Sequence, residues 1–173
     1  GGNGGTSDSS MYNVVVRAGS GGGGGVFTVT VDSVSTGKAY TANATAKAGA
    51  LHYIDRSYTV TSLGGALAGG VLIRTANDDK SVTANPHLRF SVNVSATVWV
   101  CYDKRGTQVP AWLNDGTWTV TVEDFSVSDG GASPMRVYRK SVPAGQVSLG
   151  GNLSSPATGA GSHYVVIVKA ANQ

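Results

Sequence analysis

A chain of 173 residues, of which only 13% are charged and whose formal charge is +3, has room for one substantial domain. Its Lys and Arg residues are scattered singly, which argues against nucleic acid as a partner. No stretch approaches the roughly 18 uninterrupted apolar residues that cross a bilayer, so we expect no membrane insertion. The 25 glycines, together with many Ser, Thr and Val residues, are typical of short strands joined by tight turns.

The first predicted strand resembles the last one in the chain. Residues 12–18 read Tyr-Asn-Val-Val-Val-Arg-Ala, residues 164–170 read Tyr-Val-Val-Ile-Val-Lys-Ala, and a Gly-Gly-Asn precedes each of them. In the first copy, Tyr12, Val14 and Val16 share one face of the strand. Two interpretations follow: the segment is the tail of a preceding repeat, or it is a donor strand that fills a groove in a neighbouring copy of the chain.

A run of glycines follows this strand. Residues 21–25 are five consecutive glycines, which have maximal backbone freedom and no side chains to bury. We therefore predict an N-terminal strand segment over residues 1–18, a glycine-rich linker over 19–25 and a β-sandwich domain over 26–173.

Alternation of apolar and polar residues dominates the rest of the chain. It predicts half-buried strands in the segments 27–31, 58–61, 88–94 and 118–122. In the last of these, Trp118, Val120 and Val122 share a face that we expect to point to the core. Residues 97–102 and 165–168 are apolar on both faces, which predicts central strands. About nine or ten short strands separated by breakers indicate an all-β fold, an antiparallel β-sandwich of the jelly-roll or immunoglobulin-like kind.

The residues that most often carry catalysis or bind metals give weak signals. The single cysteine, Cys101, lies in an apolar run, which predicts a buried, inert thiol. His52, His87 and His163 stand next to turns or strand ends without a spacing typical of metal ligands, so we expect ordinary surface or edge histidines.

Acidic residues occur in adjacent pairs. Asp78 with Asp79, and Glu123 with Asp124, are neighbours on single loops, whereas glycoside hydrolysis needs two carboxylates that face each other across a cleft. We therefore expect no enzyme activity. Asn77, Asp78 and Asp79 together are a candidate Ca²⁺ site because they offer several oxygen ligands, and a solvated turn is the alternative.

Aromatic residues give a better indication of binding, since sugar rings stack on exposed indole and phenol rings. Trp112 follows Pro-Ala in an irregular stretch, where its ring either projects into solvent or plugs the end of the sandwich. Trp99 and Trp118 are in phase with apolar strand residues and are expected in the core. Tyr53 and Tyr102 are further candidates for carbohydrate binding, with core packing as the alternative.

Several motifs in fixed order resemble a known type of domain. These motifs are residues 53–58, 73–80, 100–103, 110–113, 138–140 and 149–152. The series resembles an accessory β-sandwich module, similar to carbohydrate-binding modules, that is appended to secreted bacterial polysaccharide-degrading enzymes. The resemblance implies a non-catalytic, secreted, extracellular or cell-surface domain with a polysaccharide partner. It also implies that residues 1–18, which contain the same Gly-Gly-Asn, are the end of another such module.

The motifs have a structural interpretation as well. Asp55, Arg56 and Arg74 are expected to form a charged cluster that fixes loop geometry at the edge of the sandwich.

Two functions are therefore compatible with the sequence. The first is a carbohydrate-binding module that uses Trp112 and neighbouring polar residues. The second is a structural subunit of an extracellular filament or surface assembly, in which strand 11–17 joins copies of the chain head to tail.

Overall fold

The computed structural model describes residues 25–173, so the predictions for strand 11–17 and for most of the glycine-rich linker lie outside the described residues. The described part is all-β and confirms the predicted antiparallel β-sandwich. It contains two short 3₁₀ helices, Asn77–Ser81 and Ala111–Leu113. The strands are β1 (Val29–Val34), β2 (Thr41–Thr45), β3 (Val60–Leu63), β4 (Val71–Arg74), β5 (Leu88–Val92), β6 (Ala96–Tyr102), β7 (Thr119–Val120), β8 (Phe125–Val127), β9 (Arg136–Val142), β10 (Gly145–Leu149) and β11 (Val165–Ala170). Within residues 25–173, no helix is long and apolar enough to span a membrane.

A six-stranded sheet forms the middle layer, with the strand order β2-β4-β11-β6-β9-β7. A three-stranded sheet, β1-β5-β10, covers one of its faces, and we call that face the inner face. The β3–β8 pair covers part of the opposite, outer face. All of these strand pairs are antiparallel.

Strands β6 and β11 pair in the centre of the middle sheet, as their continuous apolar sequence predicted. Because side chains alternate along a strand, Val98 and Val100 enter the inner core while Trp99 and Cys101 enter the outer one. The Cys101 thiol is buried as expected, and its burial raises its pKa well above the ordinary value. The two core layers therefore explain why these strands lack a polar face.

Strand β7 departs from the sequence prediction. Only Thr119 and Val120 form the strand, and Val120 and Val122 are 64% and 104% exposed instead of facing the core. The physical reason is the position of β7 at the edge of a six-stranded sheet whose inner face is covered by only three strands. Trp118, just before the strand, is half-buried against the inner core. The inner face near β7 and β9 therefore remains partly open.

Hydrogen bonds link residues 150–152 both to Tyr164, just before β11, and to Trp112 in the second 3₁₀ helix. The Tyr164 hydroxyl donates to the carbonyl of Gly150 at 3.0 Å, and the Tyr164 amide donates to Asn152 Oδ1 at 3.1 Å. Trp112 Nε1 donates to the carbonyl of Gly151 at 3.0 Å. A Cβ atom on Gly150 would lie 2.2 Å from Trp112 Cδ1, so only glycine allows this close approach. The Gly-Gly-Asn motif and the tyrosine that follows it are thus parts of one set of contacts.

Candidate functional site

A pocket of about 370 Å³ opens beside the inner side of β9. We call it the Tyr138 pocket, and it is lined by Thr107, Gln108, Val109, Asn114, Arg136, Tyr138 and Pro156. Tyr138 belongs to the inner core, whereas its neighbour Val137 belongs to the outer one. Arg136, Tyr138 and Lys140 therefore follow one another on the inner side of the strand.

The rim of the pocket is fixed by a short pairing between two loops. The Thr107 amide donates to the carbonyl of Thr158 at 2.9 Å, and the Thr158 amide donates to the carbonyl of Gln108 at 3.1 Å. The hydroxyls of Thr107 and Thr158 are also within 2.8 Å of each other. Because the backbone of Gln108 is paired, its exposed side-chain amide is presented from a fixed position.

Arg136 connects the strand to the same loop. Its Nη2 donates to the carbonyl of Lys104 at 2.7 Å and also to the carbonyl of Gly106. These bonds hold the guanidinium against the loop on the pocket wall. The sequence separates Arg136 from Gln108 by 28 positions, and the hydrogen bonds of Arg136 explain why the two residues nonetheless share a pocket.

Two tryptophans pack against the inner core, and one of them contacts β9. The rings of Trp112 and Trp118 meet edge to face, with centroids 6.0 Å apart, and Trp112 meets Tyr164 in the same way at 5.5 Å. Lys140 Nζ lies 5.6 Å from the centroid of the Trp118 ring, a cation–π contact. Trp118 is half-buried, so part of the residue remains accessible to solvent. Its contact with Lys140, two residues after Tyr138, places it along the same side of β9 as the pocket.

An acidic side chain lies near this lysine. Asp115 accepts hydrogen bonds from the amide and the hydroxyl of Thr117 at 2.8 and 2.6 Å. These bonds, assisted by the charge of Lys140, lower the pKa of Asp115 below its ordinary value. Asp115 is thus an ionised neighbour of Lys140 at neutral pH.

The tyrosines predicted as sugar-binding candidates are in the core. Tyr53 and Tyr102 are fully buried, and each hydroxyl donates to a backbone carbonyl, of His163 and Asn152 respectively. Burial raises the pKa of Tyr102 to about 12. Neither ring presents a face to solvent, so core packing describes both of them.

Trp112 is half-buried and closes the end of the sandwich, which corresponds to the loop-plug alternative.

The three residues predicted as a Ca²⁺ site do not converge on one point. Their side chains bond to different partners: Asn77 to the amide of His163, Asp78 to Arg56, and Asp79 to Thr36, Lys38 and Tyr40. Asp79 is buried, and although burial opposes its ionisation, the hydrogen bonds from Lys38, Tyr40 and Thr36 prevail and lower its pKa. Within residues 25–173, no three His, Cys, Asp or Glu side chains are grouped so as to hold a metal ion.

The prediction of surface histidines is wrong. His52, His87 and His163 are all buried. His52 packs on the ring of Tyr53 with centroids 4.2 Å apart, and His163 lies two residues before the central strand β11. Desolvation lowers the pKa of His52 to about 4 and that of His163 to about 3. Proximity to a turn in the sequence did not indicate exposure, because the folded chain covers the side chains at these positions.

The predicted charged cluster is present in part. The Asp55 carboxylate accepts the backbone amides of Asn77 and Asp78 at 2.8 and 2.9 Å and so caps the first 3₁₀ helix. Arg56 bridges Asp55 at 3.6 Å and Asp78 at 2.5 Å. Arg74 instead donates to a backbone carbonyl. The motif therefore serves folding at this loop.

The sequence did not single out Gln108, Asn114 or Arg136. The only signal for Arg136 was its phase, two positions before Tyr138 and four before Lys140. Gln108 and Asn114 lie in an irregular stretch, where periodicity gives no orientation.

Comparisons with known proteins show the fold alone. No protein-family model matches the chain, and no curated protein matches it significantly. The chain is similar to a β-glucuronidase from glycoside hydrolase family 2, with a TM-score of 0.65 and 22% identity over 86% of this chain. A GH138 enzyme targeting pectin rhamnogalacturonan II gives a TM-score of 0.49 and 12% identity over 80% of this chain. The chain spans only 14% and 16% of those two proteins.

Proposed function

We propose that this domain is a non-catalytic module that binds polysaccharide at the Tyr138 pocket, within a secreted or cell-surface protein. One observation carries the proposal: a pocket lined by side-chain amide, hydroxyl and guanidinium groups opens on the inner side of β9, the strand whose Lys140 contacts the half-buried Trp118. Its volume of about 370 Å³ lies in the range of small-ligand sites.

The chemistry of this lining suits a sugar. Sugar hydroxyls both donate and accept hydrogen bonds, and the amides of Gln108 and Asn114 do the same. The apolar C–H face of a sugar ring packs on an indole, and the partly exposed Trp118 offers one on the same side of β9. Among the described residues, the lining of the pocket includes no Asp or Glu.

The comparisons support this choice of ligand class. The β-glucuronidase that shares the fold is a glycoside hydrolase, and this chain corresponds in size to a small part of it. A module that holds a polysaccharide near a separate catalytic domain fits that relationship. The resemblance in sequence to accessory modules of secreted polysaccharide-degrading enzymes leads to the same proposal.

Affinity electrophoresis through gels that contain plant, algal or microbial polysaccharides tests the proposal. We expect at least one polysaccharide to retard the chain. Trp118→Ala and Asn114→Ala are each expected to weaken that binding about tenfold, the effect of one lost contact of about 1.4 kcal/mol.

Asn43→Ala is the matched control for Asn114→Ala. Asn43 is exposed on β2, the opposite edge of the middle sheet, and its replacement is expected to leave retardation unchanged. Absence of retardation by every polysaccharide in the panel would contradict the proposal. Equal loss in the Asn43 and Asn114 variants would contradict the assignment of the site.

A second candidate function is assembly through strand 11–17, which lies outside the described residues. The observation that favours it is the contact set of Gly150, Asn152 and Tyr164, whose residue types recur at Gly1, Asn3 and Tyr12. The place of the closing strand, between β4 and β6, is already taken by β11 in this domain. A second segment with the same motif is therefore suited to another sandwich of this kind.

Analytical ultracentrifugation of the full chain and of a variant without residues 1–18 tests assembly. We expect the full chain to form larger species and the shortened chain to sediment as a folded monomer. Val14→Asp in the full chain should also prevent assembly, whereas Thr6→Asp should not. Assembly that persists after the deletion would exclude this function.

A further inference from the structure

We propose that Ser35 is a nucleophilic serine that accepts an acyl group from an activated aryl ester. A series of hydrogen bonds carries the proposal: it runs from the Ser35 hydroxyl through the buried side chains of His87 and Tyr40 to Asp79, and we call it the Ser35 relay. None of these four residues lines the Tyr138 pocket, so the inference goes beyond the proposed function and does not depend on it.

Backbone pairing holds Ser35 opposite His87. Ser35 directly follows β1 and His87 directly precedes β5, and the amide of Ser35 donates to the carbonyl of His87 at 2.8 Å. This bond continues the antiparallel pairing of Val34 with Leu88. Ser35 Oγ and His87 Nδ1 are 2.6 Å apart, within the distance at which an imidazole takes a proton from a hydroxyl. The pairing of β1 with β5 therefore positions a base against the hydroxyl before any reagent arrives.

The other hydrogen bonds of the relay determine which ring nitrogen carries the proton. Asp79 has a lowered pKa and is ionised, and a carboxylate only accepts, so the Tyr40 hydroxyl donates to Asp79 Oδ2 at 2.6 Å. The Tyr40 oxygen then accepts the Nε2–H of His87 at 3.0 Å. Because burial lowers the pKa of His87, the ring is neutral at pH 7 and has no second proton. His87 Nδ1 is therefore the acceptor of the Ser35 hydroxyl.

The groups that face His87 favour proton uptake on balance. Asp79 Oδ2 lies 3.8 Å from His87 Nε2 and stabilises the imidazolium that forms when Nδ1 takes the proton. Lys38 is bound to Asp79 and opposes the imidazolium, but of these two charges Asp79 has the larger effect on the pKa of His87. The ring of His163, with its centroid 5.4 Å away, is neutral because burial lowers its pKa to about 3. His87 is thus oriented by a carboxylate through one hydroxyl, that of Tyr40.

Ser35 is the accessible end of the relay. It is exposed in the turn after β1, whereas His87 and Asp79 are 2% and 1% exposed. Among residues 25–173, Ser35 is the only serine or threonine that bonds to an imidazole, whereas Ser62 and Ser91 bond to carboxylates. An imidazole is a stronger base than a carboxylate by about two pKa units. Ser35 is therefore the serine of the described residues whose hydroxyl has the strongest base beside it.

The acyl transfer is balanced within the relay. Ser35 Oγ attacks the ester carbonyl while its proton passes to His87 Nδ1, so that a bond forms between Oγ and the acyl carbon. The bond between the acyl carbon and the aryl oxygen then breaks, and the leaving aryloxide takes the proton from Nδ1. The products are acyl-Ser35, a phenol and neutral His87, and no oxidant or reductant is needed. An aryl ester suits this site because an aryloxide leaves readily and needs little further assistance.

Acetylation of the full chain by p-nitrophenyl acetate, mapped by peptide mass spectrometry, tests the proposal. We expect an acetyl ester on Ser35 that hydroxylamine removes, whereas acetyl groups on lysine amines resist hydroxylamine. Ser62, which is also exposed, is the internal reference. We expect Ser35 to be acetylated about 100-fold faster than Ser62, because general-base assistance contributes a factor of about that size. Equal rates at the two serines, or no ester on Ser35, would overturn the proposal.

The pH dependence of the parent chain separates assistance by His87 from ordinary reactivity. An unassisted serine reacts as its alkoxide, so its rate rises about tenfold for each pH unit. With neutral His87 as the base, the acetylation rate of Ser35 should change less than about twofold between pH 7.0 and pH 8.5. A rise of about thirtyfold over the same interval would overturn the role of His87. This measurement needs no variant, so it does not depend on how a substitution affects folding.

His87→Gln is the informative variant and His52→Phe is its control. Both replace a buried histidine, but His52 bonds to no group among residues 25–173. We expect His87→Gln to slow acetylation of Ser35 about 100-fold, and His52→Phe to leave it unchanged. Tyr40→Phe removes the hydroxyl that orients His87 and should slow the reaction about tenfold. An unchanged rate in a His87→Gln chain whose thermal midpoint shows that it is folded would overturn the proposal, whatever the result for polysaccharide binding.

Discussion

The buried histidines predict a domain that loses stability in mild acid. Desolvation lowers the pKa of His52 to about 4 and that of His163 to about 3, from an ordinary value of 6.5. As the pH falls below 6.5, these histidines bind protons in the unfolded chain but remain unprotonated in the folded domain. The contribution of each histidine to stability is therefore complete above pH 6.5 and is lost progressively as the pH falls towards its folded pKa.

The size of the effect follows from the same shifts. At pH 5 both rings remain neutral in the folded domain. In the unfolded chain both histidines are protonated, because pH 5 lies about 1.5 units below their ordinary pKa of 6.5. Each histidine then costs about 2 kcal/mol, so that the two together cost about 4 kcal/mol relative to pH 7.5. Asp79, Asp103 and Asp115, whose pKa values are lowered from 3.8, contribute mainly below pH 4, which leaves this window to the histidines. Burial also lowers the pKa of His87, which adds to the loss in the same direction.

Urea unfolding at pH 7.5 and pH 5.0 measures the effect, with His52→Phe as the diagnostic variant. Neither ring nitrogen of His52 has a hydrogen-bond partner among residues 25–173, so phenylalanine removes the titration without breaking a hydrogen bond seen there and keeps the packing on Tyr53. We expect this variant to lose about 2 kcal/mol less than the parent chain between the two pH values. Equal stability of the parent chain at both pH values would refute the reasoning, as would the same loss in the variant.

Three further substitutions test the packing that positions the site. Gly150→Ala places a Cβ atom 2.2 Å from a ring atom of Trp112 and should lower the free energy of unfolding by about 1 to 3 kcal/mol, measured by urea unfolding. Asn152→Ala removes the acceptor of the Tyr164 amide at a fully buried position and should cost about 2 kcal/mol or more in the same assay. Val122→Lys, at a fully exposed position, should change the thermal midpoint very little, and a large drop would show that the side chain is buried.

The sequence predicted the central part of the fold because that part obeys simple periodicity. Strands β6 and β11 are apolar on both faces because both faces of the middle sheet are covered there. The same rule failed at Val120 and Val122, since alternation marks which residues share a face but not whether another layer covers that face. The extent of the covering sheet depends on pairings between distant segments.

The candidate site was harder to predict for a related reason. Trp112 stood out because it lies in an irregular stretch, yet its indole N–H is bound to Gly151 and its ring closes the sandwich. Gln108 and Arg136 meet only because Arg136 binds carbonyls of the loop before Gln108. No local pattern encodes such a contact between segments 28 residues apart.

The burial of the histidines was also not predictable from the sequence. His163 lies two residues before the central strand β11 and is fully buried, and its pKa falls because the surrounding protein excludes water. The residue type and its neighbours in the sequence gave no sign of that burial.

Nuclear magnetic resonance titration of the ¹⁵N-labelled chain with an oligosaccharide of the bound polysaccharide tests most directly whether the Tyr138 pocket is the binding site. We expect the largest shift changes at the indole N–H of Trp118, the side-chain amides of Gln108 and Asn114, and the backbone around Tyr138. Changes confined to the outer face, around Trp99 and Glu123, would contradict the site, and a spectrum that does not change would contradict binding itself.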